Sequence, residues 1–333
     1  MRINFVRPRE LHQVKIEQHR LEGFHTTRTL VSIRLNVRVW SWRVTLSVVI
    51  GAGVVTEVVS WSLASTTPAI LHVLTTEPSY SDIVRQVGGA NVMVRTVDVS
   101  GALTGTPVPR ATLLSDLAWA NVVIRNGLGL DGDLANLEVA NPSTQRTEVV
   151  VSTLVGPTPP YTPLWYSPEA MISLTSRVGA LLESDIPGRA STIQRSTLKV
   201  SASLGSINEA LVIFRRRYPH AIISSVTPAA TTLVSLSDVS NDAPVGIDAS
   251  PSASAWSAED AIIASSQPRA LIFDPTQPPS INGPLLQRAA SAQVPVVAFY
   301  PSLPSGYHYQ TWIQAELAAL VRAITTGLST PSL

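Results

Sequence analysis

The sequence predicts an α/β protein with two parallel-sheet lobes joined by one long helix. Strand-like apolar runs alternate with helical segments of about ten to fifteen residues on both sides of a central segment, which is typical of parallel sheets with helices on both faces. The central segment, Gly188–Arg217, carries a single apolar stripe at helical period. Parallel sheets bind ligands beyond the carboxyl ends of their strands, so a ligand cleft is expected between the lobes.

The central helix is predicted from spacing and from its end signals. Its stripe consists of Ile193, Val200, Leu204, Ile207, Leu211 and Phe214. Pro187 and Gly188 break the chain before it and Pro219 breaks it after, while Arg215–Arg217 suit the negative end of the helix dipole. Several serines and Gly205 lower the helix propensity, so we expect packing of the apolar stripe to stabilise the helix.

Four strands are predicted in each lobe. In the first lobe they are Ile70–Leu74, Val92–Val99, Asn121–Arg125 and Glu148–Ser152, with helices around Tyr80–Val87, Leu113–Leu117 and Ser167–Leu182. In the second lobe they are Ala221–Ser225, Val245–Asp248, Ala270–Phe273 and Val294–Tyr300, with helices at Ala229–Leu236, Ser254–Ser265, Leu285–Ala292 and Thr311–Thr326. Turn residues separate these segments: Gly88-Gly89 ends the first helix, Asn126-Gly127 closes the third strand, and Pro168 opens a helix.

The charge distribution separates a basic leader from a mildly acidic body. Residues 1–43 hold nine Lys/Arg against three acids, whereas the chain from Ser65 onward has fifteen basic and nineteen acidic residues, a net of −4. A body with Lys199 as its only lysine is a poor nucleic-acid binder, so no nucleic-acid partner is expected. The absence of cysteine excludes disulfides, thiolate metal sites and cysteine nucleophiles.

The segment Val44–Ala64 predicts export. It has one charge, Glu57, in twenty-one residues, and arginines precede it, so the leader is expected to stay in the cytoplasm while the body is exported. Ser62–Ala64 has the small residues of a signal-peptidase site, but the segment is also long enough to remain as an anchor, and both fates stay open. The predicted divisions are residues 1–43 (basic leader), 44–64 (signal peptide or anchor), 65–187 (first lobe), 188–217 (helix) and 218–333 (second lobe).

Motifs along residues 70–324 resemble the zinc- and manganese-type solute-binding proteins of bacterial ABC importers. The segments that carry the resemblance are Ser81–Gly89, Ser115–Leu117, Ala120–Leu130, Trp165 with Pro168, Pro251-Ser252, Phe273–Pro275, and Tyr309 with Trp312, Ile313 and Leu317. The resemblance implies two α/β lobes joined by a long helix, a partner permease with its ATPase, and zinc or manganese as the ion.

The resemblance fails at the expected metal ligands. The family typically binds its ion with three histidines and a carboxylate, each in a loop after a strand. At the matching positions this sequence has Val108, Pro163, Val226 and Pro301, whose side chains cannot coordinate an ion. We therefore expect the usual metal site to be lost or altered and assign no metal ligand.

The remaining histidines do not replace the missing ligands. His72 lies inside the first strand, and His220 lies before a strand, at the wrong end of the sheet for the cleft. His308 follows a strand, where a cleft position and a plain surface loop are both open. A three-histidine zinc site cannot be assembled from this set.

Oxygen ligands and aromatic side chains leave two other possibilities for the cleft. Four carboxylates fall at or just past strand ends, where they would suit a hard cation or serve as helix caps and solvated loop residues: Glu77, Asp98, Asp248 and Asp274. Aromatic residues in the loops would either anchor the loops or, in the cleft, bind an organic ligand or fill the space. The candidate cleft residues are Trp165, Asp274, Tyr300 and His308.

No catalytic function is expected. The glycines of residues 101–105 lack the lysine and hydroxyl of a phosphate-binding loop, and no nucleophile-elbow serine is present. The resemblance implies an exported, monomeric solute-binding component of a metal-type ABC importer whose usual metal site is lost or altered. The alternative is a non-transport surface interaction protein on the same scaffold.

Overall fold

Two parallel sheets and the helix between them form the framework of the protein. A computed structural model describes residues 70–97, 108–219 and 268–333, together with residues 221–225, 227, 232–233, 240–241, 257 and 260–261. All strand pairs in these residues are parallel, and each lobe has a four-stranded sheet. The α/β fold with two lobes is therefore confirmed.

The first lobe alternates strands and helices. Its elements are β1 (Leu71–Thr75), α1 (Pro78–Gly88), β2 (Val92–Thr96), α2 (Arg110–Trp119), β3 (Val122–Arg125), α3 (Gly132–Ala140), β4 (Thr147–Val150) and α4 (Pro168–Asp185). The strand order is β2-β1-β3-β4. Glu77 caps α1 and Ser167 caps α4, each followed by a proline whose missing N–H costs nothing in the first turn.

The long helix α5 (Ala190–Arg217) joins the lobes, and the second lobe repeats the first lobe's strand order. The second lobe contains β5 (Ile222–Ser225), β6 (Ser240–Asn241), β7 (Ala270–Phe273), α6 (Pro279–Ser291), β8 (Val296–Ala298) and α7 (Tyr309–Thr326). Its sheet has the order β6-β5-β7-β8. In each lobe the order of the strands in the sheet therefore switches sides between the first strand and the third. Loops diverge at such a switch point and leave room for a site.

The core is layered, and one layer runs through both lobes. Val73 and Ile272, on facing sheet surfaces, belong to the same buried cluster as the apolar stripe of α5. Leu74 and Leu271, their neighbours in the strands, point to separate clusters on the outer faces of the two sheets. This alternation places helices on both faces of each sheet, as the sequence pattern predicts.

The prediction for the long helix is confirmed almost to the residue. A 3₁₀ turn at Pro187–Arg189 leads into α5, whose 28 residues at about 1.5 Å each make a rod of about 42 Å. All six residues of the predicted stripe are buried. Gly205 lies in mid-helix, with open space where a Cβ would stand.

Several predictions differ from the structure. The helix α3 was not predicted, because it is short and Glu138, which is buried, interrupts its apolar residues. The fourth strand ends at Val150 rather than Ser152, and a 3₁₀ turn follows. The strand predicted at Val245–Asp248 lies outside the described residues, and β6 occupies the edge of the second sheet.

Other predictions also fall outside the described part of the chain. These include the leader, the export segment at residues 44–64, most of the helices predicted at residues 229–236 and 254–265, and part of the strand end at residues 97–99. Within the described residues, no helix is long and apolar enough to cross a membrane.

Candidate functional site

Loops that follow the strands of the two sheets contact each other directly. Glu77 follows β1 and Asn126 follows β3, the two neighbouring strands between which the strand order of the first sheet switches sides. Asp274 follows β7, and residues 299–308, which we call the β8–α7 loop, follow β8. These loops occupy the place where the sequence predicts a ligand cleft.

Glu77 is a carboxyl group buried between the lobes. Its side chain is almost fully covered, with the residue 3% exposed, and it accepts hydrogen bonds from the Ser302 hydroxyl of the second lobe and from the Ser79 hydroxyl at 3.3 Å. Burial raises its pKa to about 8, although the hydrogen bonds from Ser302 and Ser79 and from the Leu303 backbone amide lower it in part. Glu77 is therefore largely neutral at pH 7.

Asn126 fixes the proline-rich loop of the first lobe. Its Oδ1 accepts hydrogen bonds from the Tyr80 hydroxyl at 2.7 Å and the Leu164 amide at 3.0 Å, and its Nδ2 donates to the Thr162 carbonyl at 3.0 Å. These bonds join α1, β3 and the loop that precedes α4. The loop is thereby held with Trp165 and Tyr166 directed toward the second lobe.

Trp165 and Tyr166 connect the loop to the second lobe. Trp165 Nε1 donates a hydrogen bond to the Pro301 carbonyl at 3.0 Å, and the Tyr166 hydroxyl donates to the Tyr300 carbonyl. Together with the Glu77–Ser302 hydrogen bond, these contacts form what we call the seam, the zone in which the two lobes touch. Aromatic and carboxyl side chains fill the seam.

Glu316 of α7 organises the second-lobe side of the seam. Its Oε1 accepts hydrogen bonds from the Tyr300 amide and the Trp312 indole, both at 2.8 Å, and lies 3.4 Å from the Tyr166 hydroxyl. The residue is fully buried, and among the residues that the structure describes Oε2 has no hydrogen-bond partner. Burial raises the pKa of Glu316 well above its ordinary value and so favours the neutral form of the carboxyl group.

Asp82 joins α1 to the start of α7. Its Oδ2 accepts the Tyr309 amide at 2.8 Å, and its Oδ1 lies 2.8 Å from His308 Nδ1. Gln86, one turn further along α1, exchanges side-chain hydrogen bonds with Gln310. The N-terminus of α7, in the second lobe, is thus capped by a first-lobe carboxylate.

The four candidate cleft residues fall into two groups. Trp165 and Tyr300 both take part in the seam, Trp165 through the Pro301 carbonyl and Tyr300 through the Tyr166 hydroxyl. Asp274 caps its own turn by accepting the Thr276 amide at 2.8 Å, and His308 extends to Asp82 with its side chain 71% exposed. A ligand-binding role for any of the four stays a prediction.

Three residues that form hydrogen bonds in this region were not predicted from the sequence. Ser302 and Asp82 are small polar residues whose partners are 225 and 227 positions away, so no local pattern identifies them. Glu316 had a visible signal, because it falls on the apolar stripe of α7 between Trp312 and Leu320, where a charged residue is unexpected. A carboxyl group on such a stripe indicates a buried hydrogen-bonding role.

The positions that match the family's metal ligands are apolar where the structure describes them. Val108 precedes α2, Pro163 lies in the loop that Asn126 fixes, and Pro301 lies in the seam, whereas Val226 is outside the described residues. In the described part of the chain no group of three or more His, Cys, Asp or Glu side chains is arranged to hold an ion. His72 stacks on Trp119 with ring centroids 4.4 Å apart, so it packs against the first lobe.

Solved structures of metal-binding proteins share this fold. The Zn(II)-bound AdcA of Streptococcus pneumoniae matches with a TM-score of 0.63 and 18% identity over 79% of this chain and 59% of its own. The ZnuA-like domain of that protein matches with a TM-score of 0.63 and 17% identity over 77% of this chain and 99% of its own. The metal-dependent lipoprotein YcdH of Bacillus subtilis gives a TM-score of 0.63 and 15% identity over 76% of this chain and 99% of its own.

The family of the chain is shown by a match along most of its sequence. No curated protein sequence is significantly similar to the chain. The model of the periplasmic zinc-uptake complex component A matches residues 73–323, about three quarters of the chain. Proteins of this family are periplasmic solute-binding proteins that work with an ABC permease and its ATPase. The chain therefore belongs to the zinc-uptake complex component A (ZnuA) family of metal-type solute-binding proteins.

Proposed function

We propose that the protein is the extracytoplasmic solute-binding component of a metal-type ABC importer and that its usual metal site is lost or altered. The observation that carries this proposal is the seam. Pro301, which stands where the family has its carboxylate ligand, donates no side-chain lone pair, and its carbonyl accepts the indole N–H of Trp165 at 3.0 Å. A hydrogen bond between the lobes therefore lies at the residue that the resemblance matches to a metal ligand, which supports an altered site.

The polar groups nearest to a replacement site are engaged in other bonds. The two oxygens of Asp274 accept hydrogen bonds from Thr276 and Gln277 in the same turn. His308 pairs with Asp82 across the lobes at 2.8 Å. Recruiting either group for an ion would break an existing hydrogen bond, so both are poor starting points for a tight site.

The proposed function implies particular partners and a particular location for the protein. The chain would act as a monomer with a membrane permease and its ATPase, on the outer side of the membrane, and would have no catalytic activity or nucleic-acid partner. Membership of the family is the sole support for zinc or manganese as the transported ion.

Metal content tests the proposal directly. The full-length chain is purified from cells grown with zinc and manganese, and bound metal is measured by mass spectrometry beside the ZnuA-like domain of Streptococcus pneumoniae AdcA as a positive control. We expect the control to retain zinc and this chain to retain less than one ion per molecule. A stoichiometric ion that is lost in His308→Ala would overturn the altered-site proposal and assign an ordinary metal-binding role.

The directly bonded seam also favours a second candidate function. A cleft filled by Trp165 and Tyr166 would suit a protein that keeps this fold as a surface scaffold for interactions. Genes for a multi-spanning permease and an ATPase beside this gene would favour transport. An isolated gene would favour the scaffold.

Export is the part of the proposal that concerns the N-terminus. The arginine-flanked segment Val44–Ala64 supports it. Intact-mass or N-terminal analysis is expected to give either a chain that begins at Ser65 or a full-length form in the membrane fraction. Recovery of the full-length chain from the soluble cytosol would contradict export.

A further inference from the structure

The β8–α7 loop is held to the first lobe at Tyr300 and Pro301 by Tyr166 and Trp165, and the next residue, Ser302, is held by the Glu77 carboxyl group. We propose that Glu77 and Ser302 form a proton-dependent latch, which holds the β8–α7 loop across the carboxyl edge of the first sheet and releases it when Glu77 ionises. The latch consists of the Glu77 carboxyl, the Ser302 hydroxyl and the Leu303 amide. This inference concerns movement of the loop and does not depend on which ligand the protein binds.

The hydrogen-bonded groups of the latch are buried from solvent. Glu77 is 3% exposed and Ser302 is 7% exposed, so water is excluded from their hydrogen bond. Glu77 is held on its own side by the Ser79 hydroxyl at 3.3 Å, at the N-terminus of α1. The carboxyl is therefore fixed by the first lobe, and the part of the latch that can move is the loop.

The two ends of the loop are anchored independently of Glu77. At its start, Phe299 donates its amide to the Phe273 carbonyl at 2.9 Å, and at its end Asp82 caps α7 through the Tyr309 amide. Between these anchors, Ser305 and Gly306 are exposed, and Gly306 has a φ of +87° that favours glycine. Release of the latch would free this middle section without moving the lobes, which α5 holds together.

Among the described residues, the titratable side chains that face Glu77 are tyrosines and carboxyl groups, and the effect that favours its ionised form comes from the N-terminus of α1, which Glu77 caps. Titratable groups that interact with it are the Tyr80 hydroxyl of α1 and the Tyr166 hydroxyl before α4. Behind these tyrosines are three further carboxyl groups, those of Asp131, Asp274 and Glu316. In the described part of the chain, the hydrogen bonds and ion pairs of Glu77 include no lysine, arginine or histidine. Ionisation therefore places an unpaired charge in a dry contact that already lies near other acids.

The direction of the pH effect follows from the two pKa values of Glu77. In the latched state the pKa is about 8, and in a released, hydrated state it would return toward the ordinary value of 4.5. The latched state thus binds the proton more tightly and is fully favoured below pH 4.5. As the pH rises from 4.5 toward 8, the ratio of latched to released molecules falls by up to about tenfold per pH unit, and above pH 8 it no longer changes.

The natural absence of cysteine allows a direct test with one spin label. Ser305→Cys, at an exposed position in the middle of the loop, is labelled in the full-length chain, and its mobility is measured by electron paramagnetic resonance from pH 5 to pH 9.5. We expect an immobile component at low pH, replaced by a mobile one above about pH 7 to 8, as Glu77 ionises. The same label at Val139→Cys, 84% exposed on the first lobe, is the control for general unfolding and should not respond.

Variants of Glu77 assign the response to its carboxyl group. Glu77→Gln, which cannot ionise, should keep the loop label immobile across the whole pH range, while Glu169→Gln, which removes an exposed carboxyl on α4, should respond as the wild type does. Ser302→Ala keeps the carboxyl but removes its partner, and should raise the mobile fraction already at pH 6. Loss of the mobility change in Glu77→Gln alone supports the latch. No change in the wild type between pH 6 and 9, an equal change in Glu77→Gln, or an unaltered Ser302→Ala would each overturn it.

Discussion

Glu316 offers a sharp test of how the seam is stabilised. Its neutral carboxyl provides one oxygen to the Tyr300 amide and the Trp312 indole, each at 2.8 Å, inside a fully buried part of α7. Glu316→Leu keeps the apolar stripe of the helix but removes that acceptor. Glu316→Gln keeps an oxygen at the same place and removes only the ability to ionise.

The expected loss follows from the donors that are left without a partner. In Glu316→Leu, two buried N–H groups lose their acceptor, while the Tyr166 hydroxyl keeps the Tyr300 carbonyl. A buried donor without a partner costs about 1–3 kcal/mol, and burial of the leucine methyl groups offsets part of the sum. We therefore expect Glu316→Leu to lose about 2–4 kcal/mol of unfolding free energy, and Glu316→Gln to stay much closer to wild type.

Thermal unfolding by calorimetry checks both the loss and its pH dependence. A change of 1 kcal/mol shifts the melting temperature of a domain of this size by about 2–4 °C, so Glu316→Leu should melt roughly 5–15 °C below the wild type. The folded protein raises the pKa of Glu316, so wild-type stability should fall relative to Glu316→Gln as the pH rises above 4.5. A Glu316→Leu variant as stable as Glu316→Gln would refute the proposed role of the carboxyl group.

Two further substitution tests concern the helices and a buried ion pair. Gly205→Ala is expected to raise stability by up to about 1 kcal/mol, because the helix is continuous and a Cβ meets open space. Gly179→Ala should lower stability, because its Cβ would clash with the Thr197 side chain, and thermal melts of the two variants test both expectations. Arg125→Met removes the 2.7 Å partner of the buried Glu138 carboxylate and should cost about 3–5 kcal/mol at pH 7 but less at pH 5, where Glu138 is more easily protonated; equal losses at both pH values in urea unfolding would contradict this.

The long-range order of the fold could be predicted because its signals are local and repeated. The stripe of α5 identifies a buried face of one continuous helix, and apolar strands such as Ala270–Phe273 are recognisable from composition alone. The helix α3 could not be predicted in this way, because it buries Glu138, whose charge is matched by Arg125 from the neighbouring strand. The spacing of apolar residues within one element does not show which charged side chains pair with those of another element.

The site was less predictable than the fold for the same physical reason. Trp165 and Tyr300 could be assigned to loops that meet between the lobes, because both follow strands of parallel sheets. The partners of Glu77 and Asp82 could not be identified, because Ser302 and Tyr309 lie more than two hundred residues away in the chain. Hydrogen bonds between distant loops form only in the packed structure, so local sequence patterns do not reveal which residues are partners.

A zinc titration followed by thermal unfolding bears most directly on the proposed loss of the metal site. A ligand at a hundred times its dissociation constant stabilises a protein by about 2.7 kcal/mol, which corresponds to a rise of roughly 5–10 °C in melting temperature here. After chelation and dialysis, zinc or manganese at micromolar levels should leave the melting temperature of this chain unchanged, because valine and proline stand at the family's ligand positions. A saturable rise of several degrees that disappears in His308→Ala would show a working metal site and contradict the proposed function.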